Sequence, residues 1–256
     1  MIIRLKATPI AATALGLLFL PVREAKGEEA LRVLVSNGMK AAIEELQPKL
    51  ESAAGCPVVL MFNSTAGIRK QIEAGEEFDL TLITSEAITD LVRQGKLSGD
   101  SRADLVRSEF GIGIRKGAAR PDIRTIEALK QTLLATKSIT YPQDGAGRGY
   151  VEKMFERMGI AAKVQPKIIL APSSGASTHS IAAGKAEMVI TLYSEIVPVP
   201  GVELVGPLPG EFQYHIRFSG AVSAKSKHAV AAKAVISYLA GPSAMASLKA
   251  KGLDPY

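Results

Sequence analysis

The sequence predicts an α/β fold, a mostly parallel sheet flanked by helices, and three observations carry that reading. Short apolar runs alternate with segments whose apolar residues recur every three or four positions, the pattern of buried strands followed by covering helices. Four of the strand-to-helix turns are rich in Ser, Thr, Asn and Gly. The chain, 256 residues with 47% hydrophobic and 22% charged content, is long enough to bury a substantial core as one large domain or as two lobes.

In order, Leu31 to Val35 reads as a strand, and Met39, Ile43, Leu46 and Leu50 mark a helix face bent or restarted at Pro48. Pro57 to Phe62 is the second strand. Ile68 and Ile72 mark the next helix, Phe78 to Thr84 a third strand, and Ser85 caps a helix carrying Ile88, Leu91 and Val92. Val106 to Ile114 is a strand, Thr125 to Leu134 a helix, and Ser138 to Tyr141 a strand ending at Pro142. A glycine-rich turn, 143–149, leads into a helix with Val151, Met154, Phe155 and Met158. Lys167 to Ala171 is the next strand, Ile181 lies in the helix after it, and Met188 to Leu192 forms a strand ending at Tyr193.

The four polar turns are residues 36–38, 63–67, 143–149 and 172–175. In a parallel sheet they gather at the carboxyl ends of the strands, where ligands of such folds bind. Asn63, Ser64 and Thr65 are the informative ones. They accept from free N–H groups at a helix start, and those N–H groups with two hydroxyls suit an oxyanion without any charged side chain. Taken alone they read as an ordinary helix cap, and the repetition of such turns is what points to a site.

Composition and spacing remove several function classes. Gly145, Gly147 and Gly149 match neither Gly-x-Gly-x-x-Gly nor a phosphate loop, and no ribose-binding acidic residue lies between Met158 and Lys185. That carboxylate-free stretch, with Lys163, Lys167 and Lys185, offers an anion little repulsion. A single cysteine, Cys56, forms no internal disulfide and reads as a small buried apolar residue. His179, His215 and His228 show no metal-ligand spacing, so neither a metal site nor a cofactor is expected. No nucleophile elbow is present, so no catalytic residue is assigned and an enzyme is not expected.

At the amino end, Arg4 and Lys6 precede sixteen mostly apolar residues, Ala7 to Val22, and then Arg23 to Gly27. This is too short for a spanning helix of about 20 residues and reads as a cleavable export signal, residues 1–27, with periplasmic destination. Removing Arg4, Lys6, Arg23 and Lys26 together with Glu24 lowers the net charge from +6 to +3. No basic cluster interleaved with aromatics remains, which argues against nucleic acid.

Across the whole mature chain the motifs resemble the periplasmic molybdate-binding proteins of ABC importers. LRVLVSNGMKAAIEEL resembles their opening strand and helix, NSTAGIRKQIEAGEEFDLTLIT their second loop, YPQDGAGRGY their glycine turn, and GKAEMVITLYSE the strand carrying a ligand tyrosine. KAVISYLAGPSAMASLKAKGLDP resembles their closing helices. The resemblance implies the type II two-lobe periplasmic-binding-protein fold. It places lobe one at 28–107 plus 213–256, lobe two at 108–212, and crossovers at Ser108 to Gly111 and Gln213 to Ser219. The lobes would close by a hinge over an anion held by neutral donors. Carried over by residue, the second-loop hydroxyl falls on Thr65 with Ser64 beside it, two backbone amides on Ala146 and Ser174, and a phenol on Tyr193. The first-loop serine falls on Gly38, with Ser36 and Asn37 just upstream. There a donor is lost or comes from a neighbour, or room is made for a larger ligand. The implied protein is a monomer that captures molybdate or tungstate and passes it to an inner-membrane ABC permease. Sulfate, a phosphate-like or organic anion, or a secreted enzyme of the same fold are the alternatives.

Overall fold

The structure is a computed structural model that describes residues 29–145 and 147–255; the expected signal, 1–27, and the Ala146 donor lie outside the described residues. The first third alternates as expected: β1 (Leu31–Ser36), α1 (Lys40–Ala54), β2 (Val58–Asn63), α2 (Thr65–Glu73), β3 (Leu80–Thr84) and α3 (Ser85–Arg93). β1 pairs in parallel with β2 from Leu31↔Val58 to Ser36↔Asn63, and with β3 on its other edge. Because Ser36 and Asn63 end their strands side by side, the turns that follow must open at the same place.

Apolar residues are buried on both faces of these strands. Leu31, Val33 and Val35 pack with Ile43, Leu46 and Leu50 of α1, while Leu34 faces Ile68, Ile72, Ile88 and Leu91 of α2 and α3. Each fully buried Leu or Ile contributes roughly 1.5–3 kcal/mol, so this two-sided burial specifies the layering.

Three local expectations are corrected. α1 does not restart at Pro48 but runs through it. The buried face is Ala42, Ile43, Leu46 and Leu50, and the carbonyl that Pro48 leaves without its N–H partner belongs to exposed Glu44, where water can reach it. Ser85 is the first residue of α3 rather than its cap, and its hydroxyl bonds that of Ser219 at 2.6 Å. Cys56 is half-buried at the margin of the core.

The chain continues with β4 (Ala103–Arg115), α4 (Ile126–Ala135), β5 (Ile139–Pro142), α5 (Arg148–Arg157), α6 (Ala161–Val164), β6 (Ile168–Ala171) and α7 (Ser174–Ala182). Then come β7 (Met188–Leu192), α8 (Tyr193–Ile196), β8 (Val202–Pro207), β9 (His215–Val222), α9 (Ala229–Ala240), α10 (Pro242–Ala250) and β10 (Asp254–Pro255). Thr125 caps α4 by accepting from the Ala128 amide at 3.1 Å. The strand order is β2-β1-β3-β9-β4-β7-β5-β6, with β8 and β10 also on β4.

β5 pairs in parallel with β6 and β7, giving a second parallel trio. The two trios meet on β4, whose Ala103 to Glu109 half lies antiparallel to β9 and whose Phe110 to Ile114 half lies antiparallel to β7. One long strand is thus shared by two sheets. Among the described residues no single helix is long and apolar enough to cross a membrane.

Candidate ligand site

All four polar turns reach one cavity. Its wall includes Ser36, Asn37 and Gly38; Asn63, Ser64 and Thr65; Asp144, Gly145, Gly147 and Arg148; and Pro172, Ser173 and Ser174. Thr191 and Leu192 of β7, Glu195 of α8, and the rings of Phe110, Tyr141 and Phe218 complete it. The cavity volume is about 110 Å³, against roughly 10–15 Å³ for a single water, so the space suits a molecule of several heavy atoms.

On the first side, Ser64 caps α2, its hydroxyl oxygen accepting from the Gly67 amide at 3.0 Å. The Ser64 hydroxyl proton remains available to a ligand. Thr65 is buried and donates its hydroxyl to Ser36 at 3.3 Å, a long bond that a charged acceptor would outcompete. Asn63 turns back on its own backbone, accepting from the Ser64 amide at 2.8 Å.

Gly38 lines the cavity with its backbone, beside Ser36 and Asn37. A Cβ there would lie 2.6 Å from Cζ of Phe218 and 3.3 Å from Cδ1 of Leu192. The absent side chain makes room for the buried ring of Phe218, which a serine Cβ would meet.

On the second side, Gly147 is required by the ring of Phe110, since a Cβ would come within 1.8 Å of its Cζ. Arg148 opens α5; its Nε donates to Glu152 at 2.9 Å and its Nη1 to the Gln143 carbonyl at 3.2 Å. Held this way, the guanidinium is fixed at the cavity wall. Tyr141 behind it stays neutral, its phenol pushed up to about 12 by burial and by the Glu152 carboxylate. Ser173 caps α7 by accepting from the Ala176 amide at 3.2 Å, and buried Ser174 is the first residue of that helix.

Glu195 is the unexpected member. Its carboxylate accepts from the hydroxyls of Thr191 and Ser174 and from the Leu192 backbone amide, yet burial outweighs these and raises its pKa. When protonated, such a carboxyl is a hydrogen-bond donor as well as an acceptor.

Six of the eight sequence-predicted residues, Ser36, Asn37, Gly38, Ser64, Thr65 and Ser174, thus line one cavity. Tyr193 lies outside that lining. It opens α8 instead of ending β7, and its ring lies against Gly111, where a Cβ would be 2.4 Å from Tyr193 Cε1. Burial, then the carboxylates of Glu109 and Asp254, push its phenol up to about 12. Sequence reasoning placed Asn63, Ser173 and Arg148 in turns expected at the ligand end without assigning them a contact, and it missed Thr191 and Glu195 as wall residues. Arg148 was in view within the glycine turn; Glu195 gave no signal. Asp144, Arg148 and Glu195 bring ionisable groups to the wall, while Lys163, Lys167 and Lys185 are not in it.

Two mostly parallel sheets sharing one strand, with polar turns converging on a cavity, define a type II periplasmic-binding-protein fold. The comparisons give the family: residues 31–254 match the model of the bacterial extracellular solute-binding proteins, and the chain belongs to that family. It is 32% identical to an aconitate isomerase of a Pseudomonas species, over 94% of this chain and 95% of that one. It is 23% identical to the molybdate-binding protein ModA of Azotobacter vinelandii, over 95% of each chain. The solved structure of the Azotobacter vinelandii periplasmic molybdate-binding protein superposes with a TM-score of 0.73 at 19% identity, over 87% of this chain and 98% of that one.

Proposed function

We propose that the protein is an exported solute-binding protein that captures a small anion in this cavity and delivers it to an ABC permease. The observation that carries this reading is the convergence of two capped helix starts, α2 at Thr65 and α7 at Ser174, with the hydroxyls of Ser36, Ser64 and Thr65 on one cavity. N–H groups and hydroxyls presented together complement negative charge. Molybdate or tungstate is the first ligand of this reading, supported by the molybdate-binding relative and by the donors of the first side. Capture is read as closure of lobe two (108–212) on lobe one (28–107 plus 213–256), with β4 flexing between Glu109 and Phe110. The chain acts as a monomer, without a cofactor.

A second reading, an organic carboxylate, is favoured by a specific observation. Arg148 presents a fixed guanidinium, the group best matched to a carboxylate, and the 32% relative is named for an isomerase of such an acid. Isomerisation by a proton shift needs one group that takes a proton from carbon and returns it to another. Glu195 is the half-buried carboxyl facing the cavity.

Calorimetric titration with molybdate, tungstate, sulfate, citrate and the aconitate isomers, with proton NMR of the aconitates during incubation, decides between them. Binding of molybdate or tungstate alone supports the first reading. Tight binding or interconversion of aconitates replaces it with the second, and no heat or stabilisation with any anion removes both.

A further inference from the structure

Resting on the reading of the cavity as an anion site, we propose that Glu195 is itself a ligand-contacting group that donates a proton to the bound anion, so that each anion captured takes up one proton. The geometry places it there. Residue 195 lines the same cavity as Ser36, Thr65 and Arg148, and its carboxyl is anchored on the start of α7 through Ser174 and on β7 through Thr191. An anion bound among those hydroxyls sits beside this carboxyl. Two negative charges in one desolvated site cannot both persist, so the carboxyl protonates and turns from a repulsive neighbour into a donor.

The charged groups on the elements packed around α8 leave Glu195 to itself. β7 carries none, and His179 of α7 is engaged through Nδ1 with the Gly175 carbonyl at 2.6 Å. On β8, Glu203 pairs with Arg120 at 3.0 Å. On β4, Asp104 meets Ser219 and Arg102, Glu109 accepts from Gln213, and neither Arg107 nor Arg115 is among the groups acting on the carboxyl. Tyr193, on the same short helix, stays neutral. Among the described residues the other ionisable groups of the cavity are exposed Asp144, the Arg148 guanidinium and Tyr141, whose phenol is pushed up to about 12.

The sign follows from burial, which raises the folded pKa above 4.5. Between 4.5 and that folded value the native state holds the extra proton, so stability of the free protein falls with rising pH across that window and is level above it. An anion raises the pKa again. Affinity therefore falls about tenfold per pH unit once pH passes the free-state value.

The test is calorimetry of the full chain with molybdate and, separately, citrate from pH 6.5 to 9, in two buffers of different ionisation heat. Wild type should show buffer-dependent heats corresponding to about one proton taken up and a falling affinity. Glu195→Gln should still bind, with a pH-independent affinity for molybdate and, for citrate, only the proton exchange of the ligand itself. Thr191→Val removes a donor that favours the ionised carboxyl, so its loss of affinity should set in at higher pH. Molybdate-only and citrate-only responses separate the two anion classes. Equal pH dependence and equal buffer heats in wild type and Glu195→Gln would overturn the proposal while leaving the anion reading intact. Absence of binding to either anion at every pH removes the anion reading together with it.

Discussion

The wall of the cavity built by β1, β2 and α2 offers only uncharged groups, Ser36, Asn37, Asn63, Ser64 and Thr65, whereas the wall built by α5, α7, β7 and α8 adds Asp144, Arg148 and Glu195. The first wall is made by local rules, because two adjacent parallel strands end in register and a serine caps the helix that follows. The second depends on tertiary placement. Burial raises the pKa of its carboxyl, and its guanidinium is aimed by Glu152 and Gln143. The difference teaches that the first wall presents donors fixed in charge, while the second carries the ionisable groups.

The comparison breaks most severely at Gly147, on which the second wall rests. Gly147→Ala drives a methyl into the buried ring of Phe110 at 1.8 Å, and the overpacking should cost about 3 kcal/mol, or roughly 6–12 °C for a chain of this size. Denaturant unfolding and a melting curve measure it; an unchanged melting temperature would mean the turn is free to move off the ring.

Thr65→Val sharpens the comparison by touching the first wall alone. It removes one charge-assisted hydrogen bond of roughly 1.5–3 kcal/mol, so anion affinity should drop by about ten- to a hundredfold with the fold intact. The slope of affinity against pH should stay that of wild type, and a slope that flattened would show that the two walls are not separable.

Gly38→Ser, which a sequence argument would choose to restore a donor, should instead lower stability by about 1–2 kcal/mol and leave anion binding no tighter. The serine Cβ meets Phe218, a ring only 1% exposed. Titration and thermal melting of the variant check both halves, and tighter binding at unchanged stability would contradict the packing account.

The smallest effect is expected at Tyr193. Its phenol lies outside the cavity lining and is already neutral, so Tyr193→Phe, which keeps the ring against Gly111, should change anion affinity by less than about twofold. A tenfold loss would return Tyr193 to the site in the closed protein.

Much of this molecule was legible in its sequence. The alternation of apolar runs with helical faces, and the polar turns at their junctions, follow from periods of 2.0 and 3.6 that any residue string displays. Ser64 reads as a cap because its chemistry acts within three residues. Tyr193 and Glu195 were not legible, for a geometric reason. Had β7 continued through them, both would face one side, since a strand repeats every two residues. Because α8 begins at Tyr193, two residues correspond to about 200° of rotation, and the tyrosine and the glutamate point to opposite sides. One residue's choice between strand and helix thus decides which of them meets the cavity, and Tyr193 packs against Gly111 and Gly252, which are distant in sequence.

β9 has a consequence for how the protein comes into being. It lies in the middle of the molecule, between β3 and β4, with Leu80 opposite Val222 and Arg107 opposite Arg217. A growing chain that has emerged only as far as Pro207 holds both flanking strands with nothing to join them. Closure of so distant a pairing is slow, and edges left waiting are open to pairing with other chains. The first sheet therefore completes only when nearly the whole chain is available, and a chain cut before His215 would carry two bare-edged sheet fragments rather than a smaller version of the fold.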